Sequence, residues 1–215
     1  ISIDNIITRS LLNSNNFQNY LADMLLETSS CSCLDIIYIS VDSAEIYELI
    51  TKELPLKANH KVLLRSSNAD HNVVPVNEIL KECIEDLKTS DSKQMSMCAF
   101  LNFHSPKRKS TDIENAFTTL FASRCDGIVS VTRERQPLFS LSSNQLNLIS
   151  GGKFSNLFHF KKSIFVHNGS VMCFRSSAIQ NRDLFDGKLG FIEMSKESGL
   201  TLETAKDINE YFNQK

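Results

Sequence analysis

The amino-acid sequence predicts an α/β protein, with short strands and longer helices alternating around a mainly parallel sheet. Three observations carry that expectation. Short β-branched, apolar runs recur along the chain, and the segments between them repeat their apolar residues at helical spacing. The 215 residues are enough for one large buried core. No internal repeat or low-complexity linker divides them.

Ile3 to Thr8 reads as a first strand, and Phe17, Tyr20, Leu21, Met24 and Leu25 then return at helical spacing. Asp35 to Ser40 is expected to be a buried strand, and Ser43-Ala-Glu-Ile46 to open the next helix with a capping-box pattern. Lys61 to Arg65 makes a further strand. Val73 to Leu87 is helical by period, with Val76, Ile79, Leu80, Cys83, Ile84 and Leu87 on one face. Met95 to Phe103 is nearly all apolar and is expected to be a central strand, buried on both faces. A polar loop leads to a helix from Thr111 to Arg124, then to a strand from Gly127 to Thr132. Residues 133–165 break the alternation: Leu138 to Leu141 and Gln145 to Ile149 suggest a hairpin, and Gly151-Gly152 a turn. Gly169 to Phe174 resumes as a strand, Leu189 to Glu193 is short and β-like, and Leu202 to Phe212 closes the chain as a helix. The economical reading is one domain over residues 1–215, with 133–165 as an inserted arm.

Composition narrows the functional classes. A formal charge of -2 argues against a nucleic-acid binder, which normally carries a basic excess. No apolar run is long enough for a membrane span, and no signal-peptide pattern is visible. The six cysteines fall mostly in apolar or amphipathic segments, and the one close pair, Cys31-Ser-Cys33, is spaced too tightly for the usual zinc or redox motif. Reduced thiols and a cytoplasmic location are therefore expected. Asn168-Gly-Ser170 matches a glycosylation triplet of a kind common by chance. The sequence carries no Gly-x-Gly-x-x-Gly, no His/Cys metal cluster and no Ser/His/Asp arrangement that stands out for hydrolysis.

Four stretches, in this order, resemble the acylneuraminate (CMP-sialic acid synthetase) cytidylyltransferase family. Asp35-Ile-Ile-Tyr-Ile-Ser-Val-Asp-Ser-Ala-Glu-Ile46 is similar to V-x-V-S-T-D-x-x-E-I. Phe100-Leu-Asn-Phe-His-Ser-Pro-Lys-Arg-Lys-Ser-Thr-Asp-Ile113 is similar to L-Q-P-T-S-P-x-R-x-x-x-D-I. Cys125 to Thr132 resembles D-S-V-V-S-V-T, and Asn168 to Phe174 resembles N-G-A-I-Y-I-F. The resemblance implies a three-layer, Rossmann-like α/β/α fold of the nucleotide-diphospho-sugar transferase type. It implies an activity joining CTP to an acidic, acylneuraminate-type sugar, with release of pyrophosphate. It further implies a homodimer held by the inserted arm.

Such a reaction asks the protein to position a triphosphate and neutralise its charge rather than to supply covalent chemistry. By resemblance, Arg9 stands in the phosphate loop and serves catalysis and nucleotide binding, and Arg65, Asp70 and Asn102 meet the nucleotide. His104, Lys161, Lys162 and Asn168 would meet the sugar, and Glu203 and Asp207 would hold Mg²⁺, Glu203 as the catalytic carboxylate, although in the family the position of Asp207 more often serves the helix start. This chain departs from the pattern in two places. The stretch Ile6 to Asn16 lacks the family's loop glycines and lysines, so a plain connection with a surface arginine is an equal reading. Thr201 and Glu203 stand where the family has two aspartates, and Thr201 reads equally as a cap of the last helix. Ser66, Ser67 and Asn68 either cap a helix or bind an anion, and His104, Lys107 and Arg108 form either a basic ligand loop or a solvated one. Two further functions stay open: a catalytically inactive relative kept for structure, regulation or ligand binding, and a nucleotidyltransferase for a neutral sugar or polyol phosphate.

Overall fold

A computed structural model describes residues 16–65, 75–91, 95–134, 136, 138–149, 164–181 and 183–213. The proposed first strand, the glycine pair at 151–152 and the predicted site residues Arg9, Asp70, Lys161 and Lys162 lie outside these described residues. In chain order the elements are α1 (Phe17–Ser29), β1 (Ile37–Val41), α2 (Ala44–Glu53), β2 (His60–Leu64), α3 (Val76–Asp91), β3 (Met97–Leu101) and α4 (Ser110–Ala122). They continue as β4 (Gly127–Glu134), β5 (Phe139–Ser142), β6 (Gln145–Leu148), β7 (Ile164–Arg175), α5 (Ser176–Asn181), β8 (Leu189–Met194) and α6 (Ala205–Asn213). The α/β alternation is as expected, with the six-residue helix α5 added. No helix among the described residues is long and apolar enough to cross a membrane.

β1 and β2 pair in parallel, Ile37 opposite His60 through Val41 opposite Leu64. A second sheet has the order β3-β7-β4-β8. β7 runs antiparallel to both β3 and β4, while β4 and β8 are parallel. β3, β4 and β8 therefore share one direction, with β7 reversed between them.

The strands' two-residue period builds the layers. Along β7, Val171 and Cys173 face one side, packing with Ile113, Ala116 and Leu120 of α4 and with Ile128, Ile192 and Met194. The alternate residues Met172 and Phe174 face the other, against Leu80 and Ile84 of α3 and Ile179 of α5. A third core joins α1, β1, α2 and α6 through Phe17, Tyr20, Leu21, Ile39, Ile50 and Tyr211. Helices thus cover both faces of the larger sheet, and the three-layer expectation holds.

Three local expectations are corrected. Ser43 does sit at the N-cap of α2, but its side chain makes no capping bond. β3 is half-buried along its whole length instead of buried on both faces, because a cavity runs along it. The last helix begins at Ala205 rather than Leu202, after a capping box built by Thr204 and Asp207.

The expected hairpin is present. β5 and β6 are antiparallel and joined by Ser143-Asn144, both at positive φ (49° and 62°), as a two-residue turn matched to strand twist requires.

Candidate active site

The site takes shape where β1, β2 and β3 end. Parallel strands present the residues after their carboxyl ends to one side of a sheet, which is where ligands of open α/β folds bind. Here those residues are Asp42 after β1, Arg65 after β2 and Asn102 after β3. A cavity of about 700 Å³ opens between β1 and β3. Its lining includes Ile37, Ile39, Arg65, Phe100, Asn102 and His104.

Arg65 is held from both ends. Its backbone N–H donates to the Val41 carbonyl at 2.8 Å, extending the β1–β2 ladder by one bond. Its guanidinium lies 3.1 Å from the Asp42 carboxylate, an ion pair by distance whose geometry does not align a hydrogen bond. The residue is only 8% exposed, and its Nε has no hydrogen-bond partner among the described residues. A buried donor left unmade costs about 1–3 kcal/mol.

Asn102, His104 and Asn168 come together in one network. Asn102 Oδ1 accepts the His104 N–H at 3.0 Å, a local turn that directs the loop away from β3. In β7 the register slips so that Ser130 alone faces residues 168–171. Asn168 Oδ1 occupies this bulge, accepting from Ser130 Oγ at 2.5 Å and from the Ser170 N–H at 3.1 Å. Ser130 Oγ in turn accepts the Val171 N–H at 2.9 Å. Gly169 bends the chain at φ +68°, with the Asn102 amide nitrogen 3.6 Å from where a side chain would begin. Burial holds His104 below the usual imidazole range, favouring its neutral form.

The segment before α6 is stitched to the same network. The Leu202 N–H donates to the His104 carbonyl at 2.8 Å. Thr201 Oγ1 donates to the Asn168 carbonyl at 2.7 Å and lies 3.2 Å from Ser105 Oγ. Thr201 therefore ties β7 to the final loop, and it is Thr204, not Thr201, that caps the last helix.

Asp207, expected at a metal, serves the helix start: its Oδ2 accepts the N–H groups of Glu203 and Thr204 at 3.0 and 2.7 Å. The Thr204 hydroxyl, together with these backbone bonds, pulls its carboxyl below the ordinary carboxylate range. Glu203 is exposed. Among the described residues no three His, Cys, Asp or Glu side chains gather as a metal cage. One exposed glutamate beside a carboxylate already occupied by backbone N–H groups does not fit a protein-built Mg²⁺ site, which wants hard oxygen donors free to converge on the ion.

Arg108 is neither of the things its basic neighbourhood suggested. It is buried, and its Nη1 donates to the carbonyls of Asn102 (2.9 Å) and Ser170 (3.0 Å), locking the loop beyond β3 onto β7. Burial pushes its guanidinium down to about 10. Lys107 lies 3.6 Å from Glu197 across the adjoining surface. Sequence reasoning also passed over Asp42, although a carboxylate directly after a parallel strand is a usable signal.

No family model and no curated protein matches the sequence. Solved structures do match over nearly its full length. The chain resembles a CMP:2-keto-3-deoxy-manno-octonic acid synthetase complexed with CTP, with a TM-score of 0.66 at 9% identity over 98% of this chain and 92% of that one. It is similar to the 4-diphosphocytidyl-2C-methyl-D-erythritol synthase of Anaerococcus prevotii, with a TM-score of 0.62 at 10% identity over 94% and 92%. The 2-C-methyl-D-erythritol 4-phosphate cytidylyltransferase of Francisella tularensis gives 0.58 at 12% identity over 93% and 89%. The likeness establishes a shared fold.

Proposed function

We propose that this chain is a nucleotidyltransferase of the cytidylyltransferase type that binds CTP in the cavity between β1 and β3. The observation that carries the reading is Arg65: a buried guanidinium at the carboxyl end of a parallel strand, with an unsatisfied donor, beside a cavity large enough for a nucleotide. Its planar fork suits a phosphate or a pyrimidine carbonyl, and the Asp42 ion pair holds its position. Asn102 and the neutral His104 imidazole offer uncharged hydrogen-bonding groups to the same cavity. In the reaction a sugar hydroxyl attacks the α-phosphorus and pyrophosphate leaves, so the chain's own part is to bind, orient and exclude water. The acceptor we propose is an acidic sugar, on the sequence resemblance and on the likeness to an octonic-acid synthetase.

A second reading, binding without turnover, is favoured by one specific finding. Thr201 and Asp207 are both engaged in structural hydrogen bonds where the resemblance places carboxylate ligands. One experiment separates the two. CTP affinity is measured by calorimetry, and pyrophosphate release is measured with CTP and Mg²⁺ against a panel of acidic sugars and polyol phosphates. Sugar-dependent release supports the enzyme, and tight CTP binding with no release supports the binding protein. Absence of CTP binding by folded protein sinks both. Arg65→Ala is expected to weaken CTP binding about 100-fold, the loss typical of a buried charged donor.

We also propose a homodimer joined through the arm. Leu141 and Leu146, directly opposite each other on β5 and β6, are 69% and 70% exposed, and Ile149 beyond them is exposed as well. An apolar cross-strand pair left bare on a projecting hairpin fits a self-complementary interface. Sedimentation should show a dimer that Leu141→Ser with Leu146→Ser converts to monomer; a wild-type monomer at micromolar concentration would overturn the assignment.

A further inference from the structure

The turn between α1 and β1 carries two thiols whose sulfurs lie 3.2 Å apart, those of Cys31 and Cys33. A one-residue spacing looked too tight in sequence for a redox pair, yet the backbone folds both side chains to the same side. Ser32 between them is clamped to α4, its N–H and Oγ donating to Glu114 Oε1 at 3.1 and 3.2 Å. Cys31 is buried in the core beneath α4, packed with Ile113, Leu120 and Cys173, whereas Cys33 is exposed. All six cysteines are free thiols.

We propose that Cys31 and Cys33 form a reversible oxidation site, a dithiol that a hydroperoxide converts to an intrachain disulfide. The sulfurs need close only by about 1 Å to reach bonding distance. The exposed Cys33 meets the oxidant first: its sulfur bonds one peroxide oxygen, the O–O bond breaks, and water leaves. The Cys31 sulfur then attacks the Cys33 sulfenic sulfur as its proton passes to the sulfenic oxygen beside it: the S–S bond forms, the S–O bond breaks, and that oxygen departs as a second water. Two thiols and one hydroperoxide thus become one disulfide and two waters when the peroxide is hydrogen peroxide. Burial pushes the Cys31 thiol up to about 12, which keeps it protonated and leaves the first encounter to Cys33. Cys83, Cys98 and Cys173 are likewise raised by burial, so their thiolates do not compete.

The test treats reduced, full-length protein with stoichiometric hydrogen peroxide, alkylates the remaining thiols, and maps the tryptic peptides by mass spectrometry. No lysine or arginine separates the two cysteines, so one peptide carries both, and it carries no other cysteine. The expected product is a single chain lighter by two hydrogen atoms, with that peptide unalkylated and dithiothreitol restoring it. Cys33→Ser, an exposed and fold-neutral change, should abolish this product. Three results would overturn the proposal: Cys33 driven to a sulfinic acid while Cys31 is alkylated, a bridge between two chains, or the same thiol loss in Cys33→Ser as in the wild type.

Discussion

Replacing Tyr20 with alanine is expected to lower the unfolding free energy by about 4 kcal/mol, the middle of the range for a large aromatic core truncation. Tyr20 is 1% exposed at the centre of the core formed by α1, β1, α2 and α6. Its ring meets Phe103 at 5.1 Å, Tyr211 at 5.9 Å and Phe212 at 6.1 Å between centroids, each edge-on, so it joins α1, the loop after β3 and the last helix. Its hydroxyl donates to the Phe103 carbonyl at 2.5 Å, and burial raises its pKa so far that it stays a donor at any working pH. Two losses are therefore separable. Tyr20→Phe keeps the packing and removes one buried donor, and is expected to cost about 1 kcal/mol. Tyr20→Ala removes the ring as well. Urea denaturation of the three proteins measures both, and a Tyr20→Ala cost no larger than that of Tyr20→Phe would show that the ring does not hold this core. The functional consequence follows from chain order. Phe103 precedes His104, whose carbonyl anchors Leu202, so loosening Tyr20 loosens the wall of the candidate site.

Gly127→Ala is expected to cost about 3 kcal/mol, at the upper end for overpacking a filled core. A Cβ at Gly127 would sit 2.5 Å and 2.6 Å from Cδ1 and Cε1 of Phe174, and 3.1 Å from Leu189. Phe174 is fully buried and lies directly across the β4–β7 ladder from Gly127. The ring cannot swing away, because Leu80, Ile84, Ile179 and Leu184 already close its surroundings. The missing side chain at 127 is thus the space that the aromatic ring fills. Phe174→Leu should relieve the clash, so the double variant is expected to be more stable than the sum of the two single costs predicts, by 1 kcal/mol or more on thermal or urea unfolding. Strict additivity would mean that the strands shift apart instead and that the packing argument fails.

Arg65 and Asn102 entered the candidate site through the resemblance of the motifs around them, and the structure places them directly after the carboxyl ends of β2 and β3. Gly169 was read only as the start of a strand, and its bend at positive φ became visible in the structure. Arg108 was not legible. Its basic neighbours Lys107 and Lys109 suggested a charged loop, while its actual role depends on two carbonyls, one of them far away in sequence on β7. Thr201 was half legible: its hydroxyl was expected to cap a helix and instead reaches Asn168 across 33 residues.

Periodicity and turn chemistry alone were sufficient for the α/β class, the order of elements and the arm's hairpin, because each depends on residues within one turn or one strand of each other. The tertiary structure alone decided which polar groups are already spoken for. Arg108, Thr201 and Asp207 are consumed by backbone groups, whereas the Arg65 Nε has no partner among the described residues, and satisfaction of a hydrogen bond is a property of where distant segments meet.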